Sequence, residues 1–130
     1  MRATKAILIL AVLALAAISC SKAITVLLIN RSDRAITVDD HGKQISFESG
    51  EMVSYIPELQ DDHDISIRSG AERYFYRLAN TPTSFLDIQH NKRMLFVFAK
   101  DHKLYLLKPT DKPLNAEIEV QPSGYPLIPK

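Results

Sequence analysis

A chain of 130 residues has room for one domain with a single hydrophobic core, which excludes a two-domain architecture. It carries 16 basic and 15 acidic residues, and because the two signs are interspersed, the charge pattern gives no support for binding nucleic acid. A single cysteine excludes a disulfide within the chain, so packing alone must stabilise the fold.

The first 19 residues have the pattern of an export signal. Two basic residues, Arg2 and Lys5, precede an unbroken apolar run over residues 6–18. As a helix this run would span about 20 Å, which is less than the roughly 30 Å hydrocarbon core of a bilayer. The alternative is a longer tilted helix that continues through Lys22 and crosses the membrane.

The run ends in Ala17-Ile18-Ser19-Cys20, which resembles the lipobox of bacterial lipoproteins, with alanine where leucine is usual. In that class a diacylglycerol is attached to the cysteine sulfur and the chain is cut before the cysteine. The resemblance therefore implies a signal peptide over residues 1–19 and acylation of Cys20. Ser21 in place of aspartate implies sorting to the periplasmic face of the outer membrane. The alternative is an ordinary signal peptide, which leaves Cys20 as a free thiol or within the discarded leader.

Segment 20–23 would then be the acylated cysteine and a very short tether. Residues 21–23 reach only about 10 Å when fully extended, and a strand-like run begins at Ile24. We therefore expect the domain to lie against the membrane surface or against a partner embedded in the membrane.

Residues 24–121 have the pattern of a single β-domain. Short segments rich in β-branched and aromatic residues are separated by turn residues at hairpin spacing, and residues 94–98 are apolar on both faces, which is typical of a central strand. We predict an all-β fold: a small antiparallel β-sandwich, immunoglobulin-like or transthyretin-like, with a small barrel as the alternative. The only helical candidate is the short stretch 84–90. The nine predicted strands are 24–29, 35–39, 43–47, 52–56, 64–68, 73–79, 94–99, 103–108 and 116–121.

Three Asp-His pairs lie at predicted turns, at 40–41, 62–63 and 101–102, and the cluster around the second pair is the strongest candidate metal site. Asp61, Asp62, His63 and Asp64 could offer carboxylate oxygens and an imidazole to a divalent cation. Asp and His are also common turn residues, however, and adjacent residues on a strand point to opposite faces. No HExxH pattern, spaced Cys/His set or calcium loop accompanies the cluster. We therefore predict turn residues here, and neither a metal nor another cofactor.

A second candidate site is an aromatic segment flanked by arginines, Arg73-Tyr74-Phe75-Tyr76-Arg77. Aromatic rings and arginine side chains stack on sugar rings and bind their anionic groups, so this segment is a candidate site for an envelope glycan such as lipopolysaccharide. The plainer interpretation places one aromatic face in the core and leaves Phe75 partly covered.

The C-terminal segment 122–130, with the sequence PSGYPLIPK, contains three prolines and a glycine, which exclude a regular helix or a central strand. We expect it to be extended. Tyr125, Leu127 and Ile128 would fit a groove on a partner, and proline reduces the entropy lost on docking. The alternative is that the segment packs back onto its own sandwich.

These features predict a membrane-anchored lipoprotein that is a non-catalytic accessory or interaction module of the bacterial envelope. It would bind another envelope protein through a sheet edge or through segment 122–130. The second hypothesis is a ligand-binding sandwich for envelope glycan, lipid or metal. We predict no enzyme, because GxSxG and glycine-rich phosphate motifs are absent and the paired acids Glu117 and Glu119 are typical of an exposed strand face.

Overall fold

A computed structural model describes residues 25–40, 42–56, 64–77, 81–88 and 92–130. These residues form nine strands in two sheets packed around one core, so the predicted all-β sandwich is confirmed. Short 3-10 turns occur at Thr83–Phe85 and Pro113–Asn115. The strands are β1 (Val26–Arg31), β2 (Ile36–Asp40), β3 (Lys43–Phe47), β4 (Met52–Tyr55), β5 (Asp64–Ser69), β6 (Glu72–Arg77), β7 (Leu86–Asp87), β8 (Arg93–Ala99) and β9 (Leu104–Leu107).

The four-stranded sheet has the order β3-β2-β5-β6 and is antiparallel throughout. The five-stranded sheet has the order β4-β1-β8, and the far side of β8 pairs with β7 and then with β9. β1 and β8 are parallel, with Val26 opposite Met94 and Arg31 opposite Ala99. This is the one parallel pair among the described strands, and the other pairs are antiparallel, as predicted. Both strands are buried on both faces, and both therefore take central positions in the sheet, next to each other.

The core lies between the sheets, and β8 contributes to it from one face only. Met94, Phe96 and Phe98 point into this core, whereas Leu95 and Val97 belong to a second apolar cluster on the opposite face of the same sheet. All five side chains are buried. The prediction of a central strand at 94–98 is therefore confirmed.

The chain after β9 returns to the second cluster. The Arg31 guanidinium donates hydrogen bonds to the carbonyl oxygens of Pro113, Leu114 and Ala116, the last at 2.6 Å, and Ala116 packs against the cluster. Gln121 then borders β9: its Nε2 donates to the Leu106 carbonyl at 3.0 Å, and its Oε1 accepts the Leu106 N–H at 2.8 Å.

The prediction of a ninth strand at 116–121 is therefore wrong. A side-chain amide takes the place of a backbone neighbour on β9, and Val120 is 92% exposed, so the apolar alternation of this segment does not mark a buried face. The ninth strand is β7, which lies in the stretch 84–90 that was the only helical candidate. Its two residues, Leu86 and Asp87, pair with the start of β8.

Candidate functional site

Several predicted site residues lie outside the described ranges. These are the leader 1–19, Cys20 with the tether to residue 23, and three members of the acidic cluster, Asp61, Asp62 and His63. The fourth member, Asp64, is the first residue of β5, where its backbone is in register with Arg77. Among the described residues, no three His, Cys, Asp or Glu side chains are grouped closely enough to hold a metal ion.

One of the three Asp-His pairs, Asp101-His102, is described completely, and both residues serve the turn between β8 and β9. Asp101 accepts the N–H of Lys103 at 3.1 Å and the hydroxyl of Tyr105 at 2.5 Å. Burial acts to raise the pKa of the Asp101 carboxyl, but these hydrogen bonds and the charge of Lys103 together hold the pKa below its usual value. His102 adopts a left-handed backbone with φ of 63° and stacks on Tyr74 with ring centroids 4.6 Å apart.

The arginine-flanked aromatic segment does not form one platform, which corrects the grouping of its five residues into a single site. Tyr74 and Tyr76 point into the core because alternate residues of a strand face opposite sides of the sheet. The Tyr76 side chain is fully buried and donates its hydroxyl to the carbonyl of His102, and burial raises the pKa of this phenol. Arg73, Phe75 and Arg77 lie on the opposite, exposed face.

A residue that the sequence reasoning missed joins these three. Arg68 on β5 is directly opposite Arg73 on β6, and both are exposed. Phe75 is 44% exposed and lies opposite Ser66. We call this group, Arg68, Arg73, Phe75 and Arg77, the arginine face. The hairpin at 69–71, which the sequence does indicate, sets the register that brings Arg68 opposite Arg73.

Within the described residues, the Arg73 side chain has a weak ion-pair contact. The Nη2 atom of Arg73 is 4.0 Å from a carboxylate oxygen of Asp39, at the limit of an ion pair, and the two side chains are 46% and 24% exposed. Like charges directly opposite each other destabilise a sheet, and a distant, solvated carboxylate offsets this only in part. Arg68 and Arg73 therefore form an exposed basic pair beside the partly exposed ring of Phe75.

The C-terminal segment packs onto its own domain, which corrects the assignment of Tyr125 and Leu127 as partner-binding residues. Both are buried in the core between the sheets. Leu127 also exchanges two backbone hydrogen bonds with Leu104 of β9, of 2.8 and 3.0 Å, and the Lys130 N–H donates to the Phe75 carbonyl of β6 at 3.0 Å. The segment thus connects the edges of the two sheets, and of the three residues only Ile128, 67% exposed, stays on the surface.

At the outer edge of the sandwich, Tyr55 carries a buried hydroxyl for which the described residues provide no hydrogen-bond partner. Burial, together with the nearby charge of Asp40, raises the pKa of this phenol well above its usual value. Tyr55 is the last residue of β4 and lies opposite Val26, the first residue of β1. Tyr55 therefore lies at the end of the five-stranded sheet where β1 begins.

Within the described ranges, no helix has the length and hydropathy needed to cross a bilayer. Comparison of the chain with protein-family models, with curated proteins and with solved structures gave no match.

Proposed function

We propose that this chain is a lipid-anchored, non-catalytic interaction module of the bacterial envelope that binds an acidic surface of another envelope protein through the arginine face. One observation carries this assignment: Arg68 and Arg73 lie directly opposite each other beside exposed Phe75. This pairing lowers the stability of the free sheet. Arginine and aromatic side chains are enriched at protein interfaces, and a carboxylate on a partner would relieve the repulsion.

The proposed attachment follows from the position of Cys20. The Thr25 carbonyl accepts the N–H of Met94 at 2.8 Å, so the chain is part of the sheet region from Thr25 onward. Only residues 21–24 separate Cys20 from that point, and four residues reach at most about 14 Å. The domain would therefore stay at the membrane surface, at the periplasmic face of the outer membrane by the lipobox resemblance.

The packing of segment 122–130 favours binding of the partner to a sheet face. It argues against binding through the C-terminal segment itself or through the edge of β9. Tyr125 and Leu127 of this segment pack in the domain's own core, and the edge of β9 is occupied by Gln121 and Leu127. The face of the four-stranded sheet that carries Arg68 and Arg73 points away from that core.

Reversing one charge of the arginine face should abolish partner binding without unfolding the domain. In cells that express the acylated chain with a photo-reactive phenylalanine analogue at position 75, we expect irradiation to give one discrete protein adduct. Arg73→Glu should lower the adduct yield about tenfold or more, since it places a carboxylate against the acidic partner surface. The matched control is Lys100→Glu, which makes the same charge change in the β8–β9 turn and should leave the yield unchanged. Equal yields in both variants would contradict the proposal.

A second candidate function uses the same face for an anionic envelope glycan. It is favoured by Phe75, whose exposed ring has an arginine two residues away on either side along the strand and can stack on a sugar ring. Titration with a purified acidic glycan, followed by thermal melting, separates the two functions. A rise in Tm for the wild type that is lost in Phe75→Ala supports the glycan, whereas no rise supports the protein partner.

A further inference from the structure

The residue pairing of the five-stranded sheet defines one of its ends. Val26 is opposite Tyr55 on one side and Met94 on the other, and Met94 is opposite Leu86, so these four residues form one row across β4, β1, β8 and β7. Thr25 lies just beyond this row and leads back to Cys20 through four residues. We call this end of the sheet the tether end.

Two exposed isoleucines lie at the tether end. Ile56 directly follows Tyr55 and is 59% exposed, and Ile88 follows β7 and is 66% exposed. Single exposed apolar residues are common on protein surfaces. These two, however, follow strands at opposite edges of the same end, three inter-strand spacings or about 14 Å apart, and β1, which Thr25 precedes, lies between those strands. Lys92, also exposed, lies on the connection from Ile88 to β8.

We propose that the tether end rests in the interface of the bilayer that holds the lipid anchor, with Ile56 and Ile88 in contact with lipid. This rests on the proposed acylation of Cys20. The occupant is a bilayer because a linker of four residues, at most about 14 Å long, holds this end and no other within reach of the lipid. Transfer of an exposed isoleucine side chain from water to lipid is favourable, and the Lys92 ammonium can remain among the head groups.

The contact would fix the orientation of the domain. Acyl chains alone would hold the protein at the membrane without fixing its orientation, whereas two apolar contacts about 14 Å apart also restrict its tilt. The strands of the five-stranded sheet would then run away from the bilayer. The arginine face would be presented sideways, along the membrane surface, to a neighbouring envelope protein.

The chain contains no tryptophan, so a single tryptophan is a specific reporter of this contact. We would prepare the acylated chain, which begins at Cys20, with Ile56→Trp, Ile88→Trp or Leu114→Trp in vesicles with and without brominated acyl chains. Leu114 is the matched control, because it is apolar and 41% exposed. Its backbone carbonyl accepts a hydrogen bond from Arg31, which is at the opposite end of β1, about 17 Å from Val26 at the tether end.

We expect emission at positions 56 and 88 to shift to shorter wavelength and to lose roughly half its intensity with brominated lipid, because interfacial side chains reach 5–10 Å into the boundary. Emission at position 114 should change little. Acylated protein whose emission at 56 and 88 is as insensitive as at 114 would overturn this inference alone. Protein that carries no acyl group on Cys20 would overturn the proposed anchor, and this inference with it.

Discussion

Replacing Phe98 with alanine should lower the free energy of unfolding by about 3–5 kcal/mol, the usual cost of deleting a fully buried phenylalanine. The Phe98 side chain is inaccessible to solvent. Its ring packs against rings from the other sheet and from the β8–β9 turn: the centroids of Tyr74, Tyr76 and His102 lie 6.4, 6.5 and 5.9 Å away. The change therefore opens a cavity where the two sheets meet.

Phe75→Ala is the matched control, because it removes the same atoms from the exposed face of β6. Phe75 is 44% exposed, so we expect a loss of no more than about 1 kcal/mol. Urea unfolding of the full-length chain, followed by circular dichroism, measures both variants. Equal losses would show that the Phe98 ring is not part of a packed core and would contradict the sandwich described above.

Leu127→Ala should be nearly as damaging, with a loss of about 2–4 kcal/mol, although Leu127 lies three residues from the end of a proline-rich segment. Leu127 is 5% exposed and packs in the core between the sheets. Its neighbour supplies the control: Ile128 is 67% exposed, and Ile128→Ala should change the free energy of unfolding by less than about 0.5 kcal/mol. The same urea titration measures the free energy of unfolding of both variants. If the two substitutions cost the same, the segment is not part of the fold.

The difference between buried Leu127 and exposed Ile128 determines which variants can be used to study partner binding. Deleting residues 122–130 removes Tyr125 and Leu127 from the core together, so a truncated chain that fails to bind reports on folding. Single substitutions of exposed residues, such as Arg73→Glu or Ile128→Ala, keep the core intact. They test the surface of the folded domain, which truncation does not.

Much of the fold follows from local patterns in the sequence. The run 94–98 is apolar at every position, which is typical of a strand buried on both faces, and β8 is central. The hairpin at Gly70 also follows, since this glycine adopts a positive φ of 63° that other residues rarely take, and β5 pairs with β6 across it. The turn at Gly50 has the same signal, with a φ of 84°, but the hairpin that it predicts is wrong, because β3 and β4 on its two sides lie in different sheets. At Gly70 the side chain of Arg34 is so close that an added Cβ would lie 2.9 Å from its Nη1 atom.

The errors arise where tertiary contacts override local patterns. Residues 116–121 alternate like a strand, yet the Gln121 amide bonds to β9 in place of a backbone, and periodicity carries no information about such a side-chain contact. β7 has only two residues, which is too short for any periodic signal. The parallel pairing of β1 and β8 joins residues almost 70 positions apart and depends on the path of the whole chain.

In the candidate site, too, some features follow from the local sequence and others depend on tertiary contacts. Arg73, Phe75 and Arg77 share a face because they are two residues apart on one strand, and this follows from the sequence. Arg68 joins them only through the register of the β5–β6 hairpin, and Tyr74 and Tyr76 leave the group because their face meets the opposite sheet. The partner's chemistry depends on residues in another molecule, so the chain alone indicates only the sign of its charge.

The most direct test of the central proposal, a lipid anchor at Cys20, is intact mass spectrometry of the membrane fraction from cells expressing the wild type and Cys20→Ala. We predict a wild-type chain that begins at Cys20 and carries the mass of its acyl chains, and a variant that lacks them and leaves the membrane. A wild-type protein with a bare Cys20, or one that retains residues 1–19, would contradict the account.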